Sequence, residues 1–152
     1  MSCSSCNSCY QKSCVQEYSD TSLVINPSTD GGIKATFGNI CTDTGISICP
    51  QLNGVKIQKG GLFEFAFDAV VSSSAVGTIM VQLYKDGSPL PCALDEETFT
   101  TATAAFKGLH FSTRLQIGVC EMTKPIFTVI FTSSDLTTLT VLHVSLGVTK
   151  LA

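Results

Sequence analysis

The chain has few charged side chains for its length. Only 14% of its 152 residues are Asp, Glu, Lys or Arg, against roughly 25% in an average globular chain. Its net charge of -3 gives no basic field that would attract nucleic acid, and no apolar run reaches the ~18 residues needed to cross a membrane. These absences argue against nucleic-acid binding and membrane insertion. They predict that apolar surface is hidden against further copies of the chain.

The start of the sequence also lacks the apolar stretch of a signal peptide, being polar and rich in cysteine. We therefore expect synthesis in a reducing host cytoplasm, where stable disulfides are uncommon. The length suits one domain with its own core. Composition changes at about residue 20, which predicts a Cys-rich docking arm over residues 1–20 and a single folded domain over residues 21–152.

The body of the chain carries the pattern of β-strands. No segment keeps a helical period over three turns, whereas short runs rich in Val, Ile, Thr and Phe are separated by Gly, Asp, Ser and Pro. In LFEFAFDAVVS, three phenylalanines alternate with Glu64 and Asp68, which predicts a strand with one buried face. The Asp86-Gly87 pair predicts a hairpin turn. Eight to ten such runs with short connections predict an all-β, antiparallel jelly-roll sandwich.

The last two apolar runs, PIFTVIF and LTVLHVSLGV, carry apolar residues at both odd and even positions. One face of an antiparallel sandwich is normally wet, so this pattern predicts a covered outer face. A second subunit is one explanation, and a central strand beneath a loop is the other. The predicted interface between copies of the chain takes these residues: Ile126, Ile130, Leu142, His143, Val144 and Leu146. The strand with Phe63, Phe65 and Phe67 is a candidate for either core or interface.

No arrangement of side chains indicates catalysis. The two histidines, His110 and His143, lie inside strand patterns, and no Gly-x-Ser-x-Gly elbow is present. We therefore predict that the chain is not an enzyme, with His110 on the surface and His143 at a subunit interface. Three copies of His143 near a threefold axis could bind an ion or make assembly pH-sensitive. The acidic run LDEETF lacks the spacing of a calcium site and is interpreted as a solvated loop.

Half of the eight cysteines, Cys3, Cys6, Cys9 and Cys14, follow the spacing C-x2-C-x2-C-x4-C. Four thiolates could hold one zinc ion tetrahedrally, and zinc is the one candidate cofactor. Structural zinc sites usually join two separated segments, which this spacing does not do. Disulfides, within or between chains, and reduced cysteines in a docking arm are the alternatives. The remaining cysteines, which could oxidise outside a cell, are spread over the body: Cys41, Cys49, Cys92 and Cys120.

Three stretches resemble the complement-type and tumour-necrosis-factor-like (TNF-like) jelly rolls. GVKIQKGGLFEFAFDAVVS is similar to their strand that opens on glycine and then alternates aromatic residues. TIMVQLYKDGSPLP is similar to the following strand and hairpin, and TLTVLHVSLGVTKL to the apolar last strand. The resemblance covers about residues 46 to 151. It implies a jelly-roll fold that assembles as a homotrimer, so that the predicted interface between copies would be a trimer interface.

Small proteins with this pattern and a short Cys-rich start resemble those of gut bacteriophages and spore-forming bacteria. In phages the resemblance implies a head fibre or capsid decoration, and in spores the tip of a surface filament. This chain lacks the Gly-x-y collagen repeat of the spore relatives, which favours the phage role. We therefore expect a homotrimeric structural protein on the virion surface, anchored to a capsid or other large assembly by residues 1–20. The alternative is a secreted or spore-surface module that binds a glycan or receptor through loops 84–90 and 93–100.

Overall fold

The computed structural model describes residues 14–42, 47–119 and 124–152, and every regular element in these ranges is a β-strand. None of these ranges holds a helix long and apolar enough to span a membrane. The strands are β1 (Cys14–Ser19), β2 (Leu23–Ile25), β3 (Ile33–Lys34), β4 (Asn39–Thr42), β5 (Ile48–Gln51), β6 (Gly54–Ile57), β7 (Gly61–Ser73), β8 (Gly77–Lys85), β9 (Ser88–Phe99), β10 (Ala105–Ile117), β11 (Ile126–Thr132) and β12 (Leu139–Lys150).

The strands form two sheets in which every neighbouring pair is antiparallel. Sheet A has the order β10-β7-β12-β1-β4, with β2 also paired to β12. Sheet B has the order β5-β6-β11-β8-β9, with β3 also paired to β11. The chain passes repeatedly between the sheets. The predicted all-β jelly-roll sandwich is therefore confirmed, with twelve strands in the described ranges where eight to ten were expected.

Phenylalanines from both sheets fill the space between them. The alternating residues Phe63, Phe65 and Phe67 of β7 are fully buried, which confirms the predicted inward face of this strand. Ring centroids of Phe65 and Phe127 lie 4.7 Å apart, and those of Phe67 and Phe131 lie 6.2 Å apart. Both contacts join sheet A to sheet B, and each is worth about 0.5–1.5 kcal/mol beyond the area it buries.

A β-bulge in β12 changes the interpretation of its apolar pattern. The pairing register of β12 with β7 shifts between Val141 and His143. A bulge inserts one extra residue, so side chains on its two sides no longer alternate in step. The residues of β12 that face the core are consequently these: Leu139, Val141, Val144, Leu146 and Val148. The prediction that β12 is apolar on both faces is wrong, because both apolar sets point inward.

The second doubly apolar strand, β11, lies beneath a loop. Phe127, Val129 and Phe131 face the core, and Ile130 on the opposite face is only 8% exposed. The loop between β2 and β3 covers it: a Cβ atom on Gly32 would lie 2.6 Å from Cγ2 of Ile130. The alternative of a strand covered by a loop therefore explains Ile130.

The first strand begins inside the segment predicted to be an arm. β1 lies between β12 and β4 and pairs with β12 from Cys14 to Ser19. Val15 and Glu17 are buried, so this strand belongs to the sandwich. The sequence pattern places this segment in the arm because a core-facing glutamate interrupts the apolar alternation of a strand. Residues 1–13 lie outside the described ranges.

The two segments predicted to be exposed loops, 84–90 and 93–100, are largely strand. They form the β8–β9 hairpin, which turns at Asp86 and Gly87, both with positive φ. The turn prediction is confirmed, and the acidic run LDEETF lies within β9 rather than in a solvated loop. Its acids resemble those of a polar loop in sequence because β9 is an edge strand, on which charged side chains stay in contact with water.

Glu17 is a carboxyl side chain inside the sandwich. It is 1% exposed and is paired in register with Leu146 of β12 and Ile40 of β4. It accepts hydrogen bonds from the backbone N–H groups of Gly54 and Gln51, which close the β5–β6 turn, so it connects the two sheets. Its Oε1 atom has no partner among the described residues. Burial raises the pKa of Glu17 to about 8, although the two backbone hydrogen bonds act to lower it.

We expect the stability of the fold to depend on the protonation of Glu17. Because its folded pKa is raised, its stabilising contribution is complete below about pH 4.5 and is lost as pH rises towards about 8. The free energy of unfolding should therefore fall with pH across this window, by up to about 1.4 kcal/mol per pH unit. Glu17→Gln, which is neutral at every pH, should flatten the profile. Urea unfolding from pH 5 to 8 at one protein concentration measures this, and parallel profiles for the two proteins would contradict it.

Two adjacent glycines provide a matched test of the loop over Ile130. Gly31 and Gly32 have φ of 79° and 74°, but a Cβ on Gly31 would meet nothing within 4 Å. Gly31→Ala should cost only the backbone strain of about 1–2 kcal/mol. Gly32→Ala should cost about 1–3 kcal/mol more, because its Cβ would also overlap Ile130 and the carbonyl of Phe131. Equal unfolding midpoints in urea would show that the loop does not pack on β11.

Candidate interaction surface

The outer face of sheet A is a broad surface of long strands. Pairing registers place its outward residues in rows across β1, β12, β7 and β10. The rows are Thr149-Glu64-Arg114, then Gln16-Gly147-Ala66-Ser112, Tyr18-Ser145-Asp68-His110, His143-Val70-Gly108 and Thr140-Ser72-Phe106. We call this set the outer face of sheet A. Its most exposed members lie on β7 and β10, where no strand of the described chain covers them.

The middle of this face is made of small residues. Ala66 lies between Gly147 on β12 and Ser112 on β10 in one row. Because their side chains are short, little protrudes from the backbone of the sheet here, and another backbone or a flat surface can approach closely. Such a surface suits packing against a second sheet better than enclosing a small ligand.

The two ends of the face differ in chemistry. At one end Arg114 Nε donates to Glu64 Oε2 at 3.0 Å, an exposed ion pair worth at most about 1 kcal/mol. At the other end lie Phe106, 68% exposed, and Val70, 38% exposed. An exposed phenylalanine beside an exposed valine forms the apolar end of the face. Exposed apolar groups that adjoin one another are typical of an interaction site.

A polar pair borders the β12 side of the face. His143 Nδ1 and Asp20 Oδ1 lie 2.5 Å apart, just beyond the end of β1. Gln16 Nε2 donates to Ser145 Oγ at 3.1 Å on the same face. These groups satisfy one another within the chain, which fits the polar rim of an interface better than its centre.

The predicted interface residues are divided among three places. His143 lies on the outer face of sheet A, and Leu142, the bulge residue, is half-buried beside it. Val144 and Leu146 are 2% and 0% exposed, so they belong to the core of the single chain. Ile126 and Ile130 lie on the outer face of sheet B. No single surface brings all six residues together, because the two outer faces lie on opposite sides of the sandwich.

Phe106 and Val70 were missed by the sequence analysis. The alternating run LHFSTRLQIGV predicts a strand that starts at Leu109, but β10 begins at Ala105. Extending the alternation backwards through Gly108 places Phe106 on the same face as His110, so the signal was present in AFKGLHFS. Val70 was hidden in the pair Val70-Val71, where only Val71 faces the core.

The proposed zinc ligands are mostly outside the described residues. Cys3, Cys6 and Cys9 precede them, whereas Cys14 begins β1 and is disulfide-bonded. Among residues 14–42, 47–119 and 124–152, no three His, Cys, Asp or Glu side chains are grouped so as to hold a metal ion. The disulfide alternative thus applies to Cys14, and a zinc site involving the other three stays a prediction.

The adjacent acidic residues Asp95, Glu96 and Glu97 of β9 do not form one reactive site. Asp95 accepts hydrogen bonds from the backbone N–H of His110 at 2.9 Å and from that of Glu96 at 2.8 Å. The Oε2 atom of Glu97 lies 4.0 Å from Nζ of Lys107 on β10, whereas the side chain of Glu96 points to the other side of β9. The three adjacent acids therefore do not converge on one point: Asp95 and Glu97 contact β10, whereas Glu96 lies on the outer side of sheet B.

Comparisons with known proteins support the fold. A scan against protein-family models finds no match, and neither does a search of curated proteins. The chain is similar to the solved structure of Eiger TNF from S. frugiperda, with a TM-score of 0.66 at 9% identity over 93% of both chains. It is also similar to murine APRIL, with TM-scores of 0.60 and 0.58 at 12% and 14% identity, over 92% of this chain and 99% of that chain. The resemblance to TNF-like jelly rolls is thus confirmed for the fold, and at such identities for the fold alone.

Proposed function

We propose that the chain is a non-catalytic structural subunit that forms a homotrimer through the outer face of sheet A. The observation that carries the proposal is the apolar end of this face, where Phe106 and Val70 stand exposed on a TNF-like sandwich. Full burial of an exposed Phe or Val side chain contributes at most about 1.5–3 kcal/mol, and a closed trimer would cover both side chains in each of its three copies. The small residues around Ala66 let three sheets approach, and the His143–Asp20 pair lies at the rim.

A charge placed at the apolar end should prevent assembly. Native mass spectrometry of the wild-type chain should give the mass of three chains, and Phe106→Asp should give one, because burying an unpaired carboxylate in the interface is costly. Leu52→Asp is the matched control, since Leu52 is 89% exposed at the β5–β6 turn, away from this face. A wild-type monomer, or a trimer of Phe106→Asp, would refute the interface. Circular dichroism checks that each variant is folded.

The trimer is further proposed to be a virion surface protein, a phage head fibre or capsid decoration. Three features support this role. The Cys-rich start resembles that of small gut-phage proteins, the chain has few charged residues, and its fold is a TNF-like jelly roll. Because β1 begins at Cys14, the segment available for docking is residues 1–13. Three such segments leave one trimer together, so individually weak contacts with a capsid add into firm attachment.

Deleting residues 2–13 should release the protein from particles and leave the sandwich folded. The deletion ends before β1, whereas removal of residues 1–20 would also take away a strand paired on both sides. The measurement is co-sedimentation with purified particles, together with the unfolding midpoint. Cys3, Cys6 and Cys9 changed together to Ser serve as the control that separates cysteine chemistry from the rest of the segment. Undiminished attachment of the deleted protein would overturn the docking role.

A second candidate function, glycan binding, is favoured by one cleft on sheet B. This cleft, of about 450 Å³, is lined by hydroxyl and carboxyl side chains with one methionine: Thr78, Met80, Glu96, Thr132, Ser133, Ser134 and Asp135. Asp135 accepts hydrogen bonds from the Thr78 backbone N–H and the Ser133 hydroxyl, which lower its pKa. Among the described residues that line the cleft, none has an aromatic ring on which a sugar could stack. A glycan-binding module would keep its ligand after deletion of residues 2–13, which distinguishes it from a docked decoration.

A further inference from the structure

A cavity of about 200 Å³ enters the sandwich where β1 ends and β2 begins. Pairing of β1 with β12 stops at Ser19 opposite Val144, and pairing of β2 with β12 starts at Leu23 opposite Val141. The bulge of β12 lies between these two points, and residues 20–22 connect the two short strands. Sheet A is therefore interrupted beside β12, and the interruption leads to the core.

The wall of this cavity is apolar and belongs largely to the core. It is formed by these six side chains: Leu23, Ile25, Ala35, Phe131, Val141 and Val144. All of them except Leu23 and Ile25 are at most 6% exposed. Leu23 lies on the core-facing side of sheet A, because it is in register with Val141, yet it is 44% exposed. A core-facing leucine with this much contact with water indicates that the interior is unfilled here, and a molecule in the cavity would cover it.

One polar side chain of the lining has a hydrogen-bonding group to spare. Ser19 is in register with the buried Val144, which places its hydroxyl group on the core-facing side of β1. Its Oγ atom accepts a hydrogen bond from the backbone N–H of Thr21 at 3.2 Å. A serine hydroxyl can also donate one hydrogen, and within the described ranges no atom accepts the hydrogen of Ser19. That hydrogen is available to an oxygen atom of a molecule in the cavity.

The described lining offers no charged partner to a ligand. Lys34 is the one titratable residue among the described residues that line the cavity, and its register with Ile130 turns its side chain to the outer face of sheet B. A carboxylate or an ammonium group inside the cavity would therefore be unpaired, and burial of an unpaired charge is costly. The lining consequently favours an uncharged ligand.

We propose that this cavity binds a small neutral molecule with a hydrocarbon body of about six to eight carbons and one hydroxyl group. The size follows from comparison, since an apolar cavity of ~150 Å³ stays dry and binds benzene. The hydrocarbon body lies among Phe131, Val141 and Val144, and the ligand's oxygen accepts the hydrogen of Ser19. Binding of this kind does not depend on assembly or on attachment to particles, so it stands or falls separately from the proposed function.

Benzyl alcohol is the probe, and toluene is the matched probe that lacks the hydroxyl group. In an NMR titration of the full chain, both should bind saturably and one to one. Intermolecular nuclear Overhauser effects should connect each probe to the methyl groups of Val141 and Val144. Val55 is the matched control residue and should show none, because it is fully buried in β6 outside the cavity lining.

A pair of serine variants tests the hydrogen bond. Ser19→Ala should weaken the binding of benzyl alcohol about three- to tenfold, because one hydrogen bond is lost, and it should leave toluene bound equally or more tightly. Ser112→Ala is the matched control and should change neither affinity, since Ser112 is exposed on the outer face of sheet A. Equal affinity of the two variants for benzyl alcohol would overturn the proposal.

A further variant tests the location independently of the hydroxyl group. Ala35→Leu fills the cavity from its wall and should abolish binding of both probes while the fold, checked by its NMR spectrum, persists. If Ala35→Leu fails to fold, the nuclear Overhauser effects of the wild-type chain locate the site alone. Absence of saturable benzyl alcohol binding, or contacts with Val55 in place of Val141 and Val144, would contradict the proposal.

Discussion

The bulge at Leu142 is the constraint on which the rest of the molecule depends. By adding one residue to β12, it turns Val144, Leu146 and Val148 to the same side as Leu139 and Val141. Without the extra residue, one of these two sets would face water, and the central strand of sheet A would lose a large part of its packing against β11. The same displacement leaves Leu142 out of register and places His143 on the outer face. It also separates the partners of β1 and β2, so the core, the rim of the proposed interface and the cavity share one cause.

The bulge also determines what an interface on sheet A can be made of. Since β12 commits its large apolar residues to the core, it presents Ser145, Gly147 and Thr149 outward. The apolar contribution must then come from the far end of β7 and β10, where Val70 and Phe106 are exposed. Three copies meeting there would bury a small apolar centre surrounded by hydroxyl groups and charges. Assembly of this kind depends strongly on a few side chains, because the small central residues provide fit but little buried area.

Much of the fold follows from patterns visible in the sequence, and the failures have physical reasons. The alternation around Phe65 and the Asp86-Gly87 turn identify β7 and the β8–β9 hairpin, since each feature is local. A bulge is not local: its one extra residue is defined only against the partner strand, so a period of two applied to β12 divides its residues wrongly. β1 is not predicted from the sequence because a glutamate such as Glu17 is typical of a surface residue, although tertiary packing buries it. The apolar end of the outer face could have been found from the alternation before Leu109. The cavity could not, because it arises from a gap between strands distant in sequence.

Strand β1 is where the proposed attachment and the fold meet. Residues 1–13 join the sandwich at Cys14, and β1 is hydrogen-bonded on both sides, to β12 and to β4. A force on this segment reaches a strand that must break two ladders before it leaves the sheet, whereas an edge strand would break one. Glu17 adds a third restraint, because its carboxyl group accepts hydrogen bonds from the β5–β6 turn in the opposite sheet. The burial that raises the pKa of Glu17 therefore follows from the position of β1 between β12 and β4, with this side chain turned towards sheet B. A surface glutamate at this position would titrate normally and would connect nothing.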